Sequence, residues 1–249
     1  MEVTILGSGT GTPNLSRNTP GLLVKAAGAT LLFDSGAGTL ARLLQLGITY
    51  HDINYIFYTH FHTDHTLDLA SILFAAKYPL SLRTNKLEII AAPGLRRFYD
   101  NLLSLYGNAI QPQAYEINLR EVKEETFQKA GFKISTRSML HAPESLGFRL
   151  EQADRSVVYS GDTDFCENII KLGQKADLLI LECSFPDGMK VEGHLTAQEA
   201  GKIANACGCK KLVLIHLYPV CQSEEIKSQV RKVFNGQIIV SQDLMAFNL

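Results

Sequence analysis

The sequence has almost no charge excess: 24 basic and 25 acidic residues among 249 leave a net charge of −1. That removes any global electrostatic case for a stable DNA partner, another nucleic acid or a membrane surface, although a local basic groove stays compatible with it. Disulfide scaffolding is missing too. The five cysteines are an odd number without framework spacing, and Cys207-x-Cys209 lacks the second pair that a zinc ribbon needs. Reduced, mostly buried thiols are expected. No apolar run approaches the length of a membrane span. Met1-Glu2-Val3-Thr4-Ile5-Leu6-Gly7 runs into a strand without a charged n-region and apolar h-region, which predicts a cytoplasmic protein. Linkers, repeats and low-complexity segments are absent, so residues 1–249 read as one domain, long enough to bury a substantial core.

What is present is a concentration of metal-ligand side chains. Thr59-His60-Phe61-His62-Thr63-Asp64-His65 offers three imidazoles and one carboxylate within six positions, the nitrogen and oxygen donors that zinc and similar divalent ions accept. One ion cannot use all four. In an extended turn His60 and His62 project the same way, while Asp64 and His65 start whatever follows, a geometry that suits two neighbouring ions. Ile53 to Tyr58, β-branched and aromatic, predicts a buried strand before the motif. Leu67, Leu69, Ala70, Leu73, Phe74 and Ala76 recur at helical spacing after it.

The other titratable residues follow the same rule of placement. Val3 to Leu6 predicts a strand that ends in Gly7-Ser8-Gly9-Thr10-Gly11-Thr12-Pro13; a dinucleotide loop would need glycine at position 12, and Pro13 forbids an immediate helix. This loop, with Arg17 and Asn18 after it, is either a contact for an anionic substrate or a plain turn. Leu22 to Lys25 and Thr30 to Phe33 read as paired strands around Ala27-Gly28, and the second ends in Asp34, a helix cap first and a partner of a metal ligand second. His141 closes a strand over residues 132–140, a position that alone reads as structural. Val157 to Ser160 ends in Gly161-Asp162, a carboxylate able to bridge two ions. Leu178 to Leu181 ends in Glu182, and Lys211 to Ile215 in His216. Strands are also expected at Leu87 to Ala91, 115–119, Leu146 to Glu151, Gln237 to Val240 and Leu244 to Asn248. Helices are expected at Thr39 to Leu46, along the Leu95, Phe98, Tyr99, Leu102, Leu103, Tyr106 stripe, after a Thr196/Glu199 capping box, and over about Glu224 to Phe234.

These motifs, in this order, resemble the metallo-β-lactamase superfamily and, within it, the ribonuclease Z-like phosphodiesterases. The resemblance spans nearly the whole chain: His60 to His65, His141, Ser160-Gly161-Asp162-Thr163, Gly193-His194-Leu195-Thr196-Ala197 and Leu214-Ile215-His216. It implies an α/β fold, a four-layer αββα sandwich with the metal centre at one edge of two packed sheets. It implies a first ion on His60, His62 and His141, a second on Asp64, His65 and His216, and Asp162 between them; zinc is expected, with manganese or iron also suited. A hydroxide between the ions would attack phosphorus, Asp64 orienting it. His194 would protonate the departing oxygen with Glu182 holding its ring. Arg17, Asn18 and Tyr218 are the candidate substrate contacts, and a homodimer is in keeping with the resemblance.

Two departures narrow the substrate. The family's long transfer-RNA arm would fall between His141 and Asp162, where only the 20 residues 142–161 stand. Leu195 also replaces a usual serine, and Asp68 a usual glycine. A small phosphodiester, a cyclic phosphate or a short RNA fits better than transfer RNA. A lactone or thioester hydrolase on the same fold, and a non-catalytic metal-binding module, are the competing readings.

Overall fold

The computed structural model describes residues 1–26 and 28–249. Its first sheet is built from β1 (Glu2–Gly7), β2 (Gly21–Ala26), β3 (Ala29–Phe33), β4 (Tyr55–Phe57), β5 (Leu87–Ala91) and β6 (Ile117–Glu121). The second holds β7 (Thr126–Lys129), β8 (Phe132–Ser138), β9 (Leu146–Gln152), β10 (Arg155–Tyr159), β11 (Leu178–Glu182), β12 (Lys211–Ile215) and β13 (Gln237–Val240). The last strand, β14 (Ala246–Asn248), returns to pair with β1, and the Met1 ammonium donates to Leu249 O at 2.9 Å. The sheet orders are β14-β1-β2-β3-β4-β5-β6 and β13-β12-β11-β10-β9-β8-β7. In each, one side pairs antiparallel and the other parallel. Ala27, read as part of the turn between β2 and β3, lies outside the described residues.

Side-chain alternation builds the layers. Val157 and Tyr159 of β10 enter a core between the sheets, together with Ile5, Val24, Phe33, Phe57, Phe132 and Phe148. Val158, the residue between them, faces the other way. There it meets α5 (Glu167–Leu172), α6 (Ala197–Cys207) and α7 (Ser223–Arg231) through Ile169, Ile203 and Ile226. On the far side of the first sheet, α1 (Thr39–Gln45), α3 (Asp68–Ala75) and α4 (Leu95–Tyr106) supply Leu43, Leu69, Leu73 and Leu95. Between α1 and α3 stands α2 (Thr63–Thr66), a single turn inside the histidine motif. The result is the αββα sandwich expected. Parallel strands buried on both faces need continuous apolar runs, which β11 has over Leu178–Leu181; β5 breaks its run only at Glu88, whose carboxylate accepts from Lys129 Nζ at 2.9 Å.

Several elements differ from the sequence reading. The strand expected over Ile53 to Tyr58 is Tyr55–Phe57 only, Ile53 O being taken by Arg83 Nη2 at 2.6 Å instead of by a neighbouring strand. β7 and α5 were not foreseen: β7 exposes two of its four residues, and α5 spans six residues. Asp34 is not the cap of α1. Gly38 occupies that position at φ 86°, and the Asp34 carboxylate turns inward instead. No helix among the described residues is long and apolar enough to cross a membrane, and all five cysteines are free.

Candidate metal centre

The residues of the site hang from strand ends, except His194, which stands in the loop just before α6. β3 ends in Asp34, β4 in the Thr59–His65 segment, β8 in the turn to His141, β10 in Asp162, β11 in Glu182 and β12 in His216. Two of these turns store strain: Asp34 and His216 sit at φ 57° and 59°, a left-handed conformation that costs a non-glycine residue about 1–2 kcal/mol. Gly161 is needed for two reasons. It has φ 58°, and a Cβ there would come 2.6 Å from Thr59 Cβ, so only glycine lets the Asp162 turn close against the histidine motif. Directly beneath, Phe33 stacks on Phe57 at 4.6 Å with Phe148 edge-on to both, a rigid apolar floor.

The ring orientations follow from hydrogen-bond inventories. Thr59 Oγ1 reaches both Asp34 oxygens, at 3.1 and 3.0 Å, and has a single proton to give them; at 3.0 Å it therefore accepts from His60 Nδ1. Ser184 Oγ donates to Glu182 Oε2 at 2.7 Å and so accepts from His216 Nδ1 at 2.9 Å. His141 Nδ1 donates to Gly193 O at 2.9 Å, and His65 Nδ1 donates to Asp34 Oδ2 at 2.8 Å. In the neutral ring each of these four histidines thus presents the lone pair of Nε2 to one common space.

That space is short of protons to share. His60 Nε2, His65 Nε2, His216 Nε2 and Asp162 Oδ1 are all buried without a hydrogen-bond partner, although His65 Nε2 and His216 Nε2 each stand 3.3 Å from an Asp162 oxygen. Such orphaned polar atoms cost about 1–3 kcal/mol each unless something completes them. Acceptors facing acceptors fit a cation. The donor atoms of His60, His62 and His141 lie within 4.8 Å of one another, as do those of Asp64, His65 and His216, and those of His60, His65 and Asp162. His194 and Glu182 also form triads with their neighbours. Both Glu182 oxygens, however, are filled by Thr163 N, His194 Nδ1, Ser184 Oγ and Leu195 N, which leaves this carboxylate no vacancy for an ion.

Electrostatics point the same way. Burial raises the Asp162 carboxyl, but His216 and His65 outweigh it and hold it well below the ordinary range. Burial and the neighbouring imidazolium of His65 push His60 well below its usual value. His65 is pulled down by burial and up, more strongly, by Asp162 and Asp34. A proton kept there is the charge a divalent ion would displace.

The sequence-derived residues divide cleanly. His60, His62, Asp64, His65, His141, Asp162 and His216 converge, and His194 joins them with its ring 4.8 Å from that of His141. Tyr218 lies beside them, 5.9 Å from the His216 ring and stacked on Phe185. Arg17 and Asn18 do not: the guanidinium is committed to Ser8 Oγ and Ser241 O, and the Asn18 amide packs over Gly38. Loop proximity in sequence said nothing of which way those side chains turn. Thr59 and Ser184, which orient the His60 and His216 rings, and Tyr159, which donates to the Asp34 carboxylate that orients His65, carry no role in the sequence reading. Ser184 stands two residues after Glu182, the spacing that puts two side chains on one side of an extended segment.

A family model for the Anti-Pycsar protein Apyc1 matches residues 1–238. A ribonuclease Z from Methanothermobacter thermautotrophicus is 26% identical, over 94% of this chain and 92% of its own. Among solved structures, the short form of human tRNase Z is similar with a TM-score of 0.82 and 25% identity, covering 100% of this chain and 99% of that one. The metallo-β-lactamase fold protein YhfI of Bacillus subtilis shares the fold at a TM-score of 0.87 and 22% identity, over 99% and 98% of the two chains.

Proposed function

The chain belongs to the Anti-Pycsar protein Apyc1 family, and from that premise we propose a metal-dependent phosphodiesterase that holds two ions and acts on a small phosphodiester, a cyclic phosphate or a short RNA. The observation that carries this reading is the set of four buried, unpartnered acceptors on His60, His65, His216 and Asp162. His60, His62 and His141 would hold one ion, Asp64, His65 and His216 the other, with Asp162 shared. When bound, divalent ions supply a Lewis acid for the phosphoryl oxygens and a nucleophile near neutral pH; zinc is the first choice on these donors.

The chain's own residues do the rest. Asp64 Oδ2, facing His216 Nε2 at 3.6 Å, is placed to orient the attacking group. His194 gives a proton to the leaving oxygen: Glu182 Oε1 stands 3.1 Å from Nδ1, leaving Nε2 for the substrate. Burial lowers the His194 pKa, but the Glu182 hydrogen bond and charge raise it further than burial lowers it, which favours the protonated ring a general acid needs. Tyr218 flanks that ring at 6.2 Å as a candidate substrate contact.

A small substrate is favoured by what replaces the long arm: residues 142–161 form little more than β9 and β10, joined by a tight turn at Ala153-Asp154. Five free thiols suit the cytoplasm. The test is a panel of cyclic phosphates, bis-p-nitrophenyl phosphate, lactones and thioesters, assayed with zinc or manganese. Phosphodiester cleavage that depends on added metal is expected; cleavage confined to lactones or thioesters would overturn the reading.

A further inference from the structure

Asp243 belongs to none of the ligand triads, yet its carboxylate grips the backbone that aims two of the ligands. Oδ1 accepts from Ser8 N at 2.9 Å and from Ser8 Oγ at 2.8 Å. Oδ2 accepts from Asn18 N and from Arg42 Nη2, both at 2.8 Å. The two ends of the glycine-rich loop are thereby clamped to one buried side chain, and Gly9 N donating to Asn18 O at 2.8 Å closes the loop on itself. Arg17 braces the clamp from the other side through Ser8 Oγ and Ser241 O.

Two hydrogen bonds lead from this loop into the site. Gly11 N donates to Asp64 Oδ2 at 2.9 Å, the same oxygen that faces His216 Nε2 at 3.6 Å and His65 Nε2 at 3.9 Å. Ser8 O accepts from Leu217 N at 3.0 Å, fixing the residue that follows the left-handed His216. Both links end on the same half of the centre, and neither touches His60, His62 or His141.

We propose that Asp243 is a positioning residue for the Asp64–His65–His216 half of the site, acting through the 8–18 loop to aim Asp64 Oδ2 and to hold the turn at His216. The glycine-rich segment is then a bracket for a metal ligand. Its length and flexibility serve the close approach of the Gly11 amide to Asp64. The proposal rests on the two-ion reading above.

The experiment is a titration with Zn2+ in competition with a chromogenic chelator, on the wild-type chain and three variants. Wild type is expected to bind two ions. Asp243→Asn puts an amide N–H where a loop donor needs an acceptor, and should weaken one binding step about 10- to 100-fold, the range of ligand-supporting partners, leaving the other step unchanged. Gly11→Pro leaves the clamp intact, deletes the last donor and sets its ring against Asp64, where a Cβ would already stand 3.3 Å from the carboxylate, and should weaken the same step. Arg42→Leu removes the ion pair to the same carboxylate but not the loop contacts, and should lower the melting temperature with both steps in place. Equal weakening of both steps, or an unmoved step in either of the first two variants, overturns the proposal while the two-ion reading stands. Fewer than two ions on the wild type would sink both.

Discussion

His194 Nδ1 faces a carboxylate and its ring borders the convergent donors, which gives this residue a separable signature. His194→Ala should leave metal content unchanged and slow cleavage of a cyclic or alkyl phosphodiester by roughly 10²- to 10⁴-fold, the usual worth of a positioned acid. It should barely affect bis-p-nitrophenyl phosphate, whose phenolate departs without a proton. Equal losses on both substrates would contradict the assignment. Asp34 is the other residue to test. It is buried and accepts from Thr59 N, Tyr159 Oη and His65 Nδ1, each at 2.8 Å. Asp34→Ala should weaken metal binding about 10- to 100-fold and destabilise the fold, since Tyr159 and Thr59 lose their acceptor; a chelator competition and a melting curve read the two effects separately. The convergent donors were legible because most follow an apolar strand closely; His141 follows the alternating strand β8 and drew its reading from the family resemblance. The role of Asp34 was legible only as a second choice, because helix capping explains an aspartate at a strand-to-helix turn equally well until the fold shows Gly38 in the capping position.

Among the elements, the strand ends opposite the site are tied by Asp177, which accepts from Ser156 N at 2.8 Å, Ser156 Oγ at 3.1 Å and Lys210 Nζ at 2.6 Å. This fastens the starts of β10, β11 and β12. Burial raises the Asp177 pKa, but the Lys210 and Ser156 hydrogen bonds outweigh it and lower the value. A depressed carboxylate stabilises the fold fully above its unfolded value near 4, and the contribution drains away as pH falls through the lower folded value. Melting temperature should therefore fall more steeply with acid in the wild type than in Asp177→Asn; parallel curves would refute it. The five-residue strands β5, β11 and β12 were readable from the sequence since their Leu, Ile and Val runs are buried on both faces. β7 and α5 were not. A four-residue strand at a sheet margin and a six-residue helix carry too few periods, and their formation depends on neighbours that only the assembled sheet provides. The shared pairing pattern of the two sheets is likewise invisible as a sequence repeat, because it lives in strand order rather than in residues.

At the scale of the molecule, the convergent donors bridge the two sheets. The His60–His65 segment follows a strand of the first sheet, whereas His141, Asp162 and His216 follow strands of the second. Leu146 N donating to Thr59 O at 2.8 Å is one of the few backbone links between them at this edge. Ions held here would cross-link the layers, so chelation should lower the melting temperature by roughly 10 °C when the free ion had stood at about 1,000 times its Kd, worth about 4 kcal/mol; restored zinc or manganese should reverse the loss, and a melting temperature indifferent to chelator would argue against a bridging site. The central claim is that two ions on these donors make the protein a phosphodiesterase. It is tested most directly by counting divalent ions per chain in protein titrated to maximal phosphodiesterase activity. Two per chain is the predicted result; full activity with fewer than two, or no activity at any loading, would contradict it.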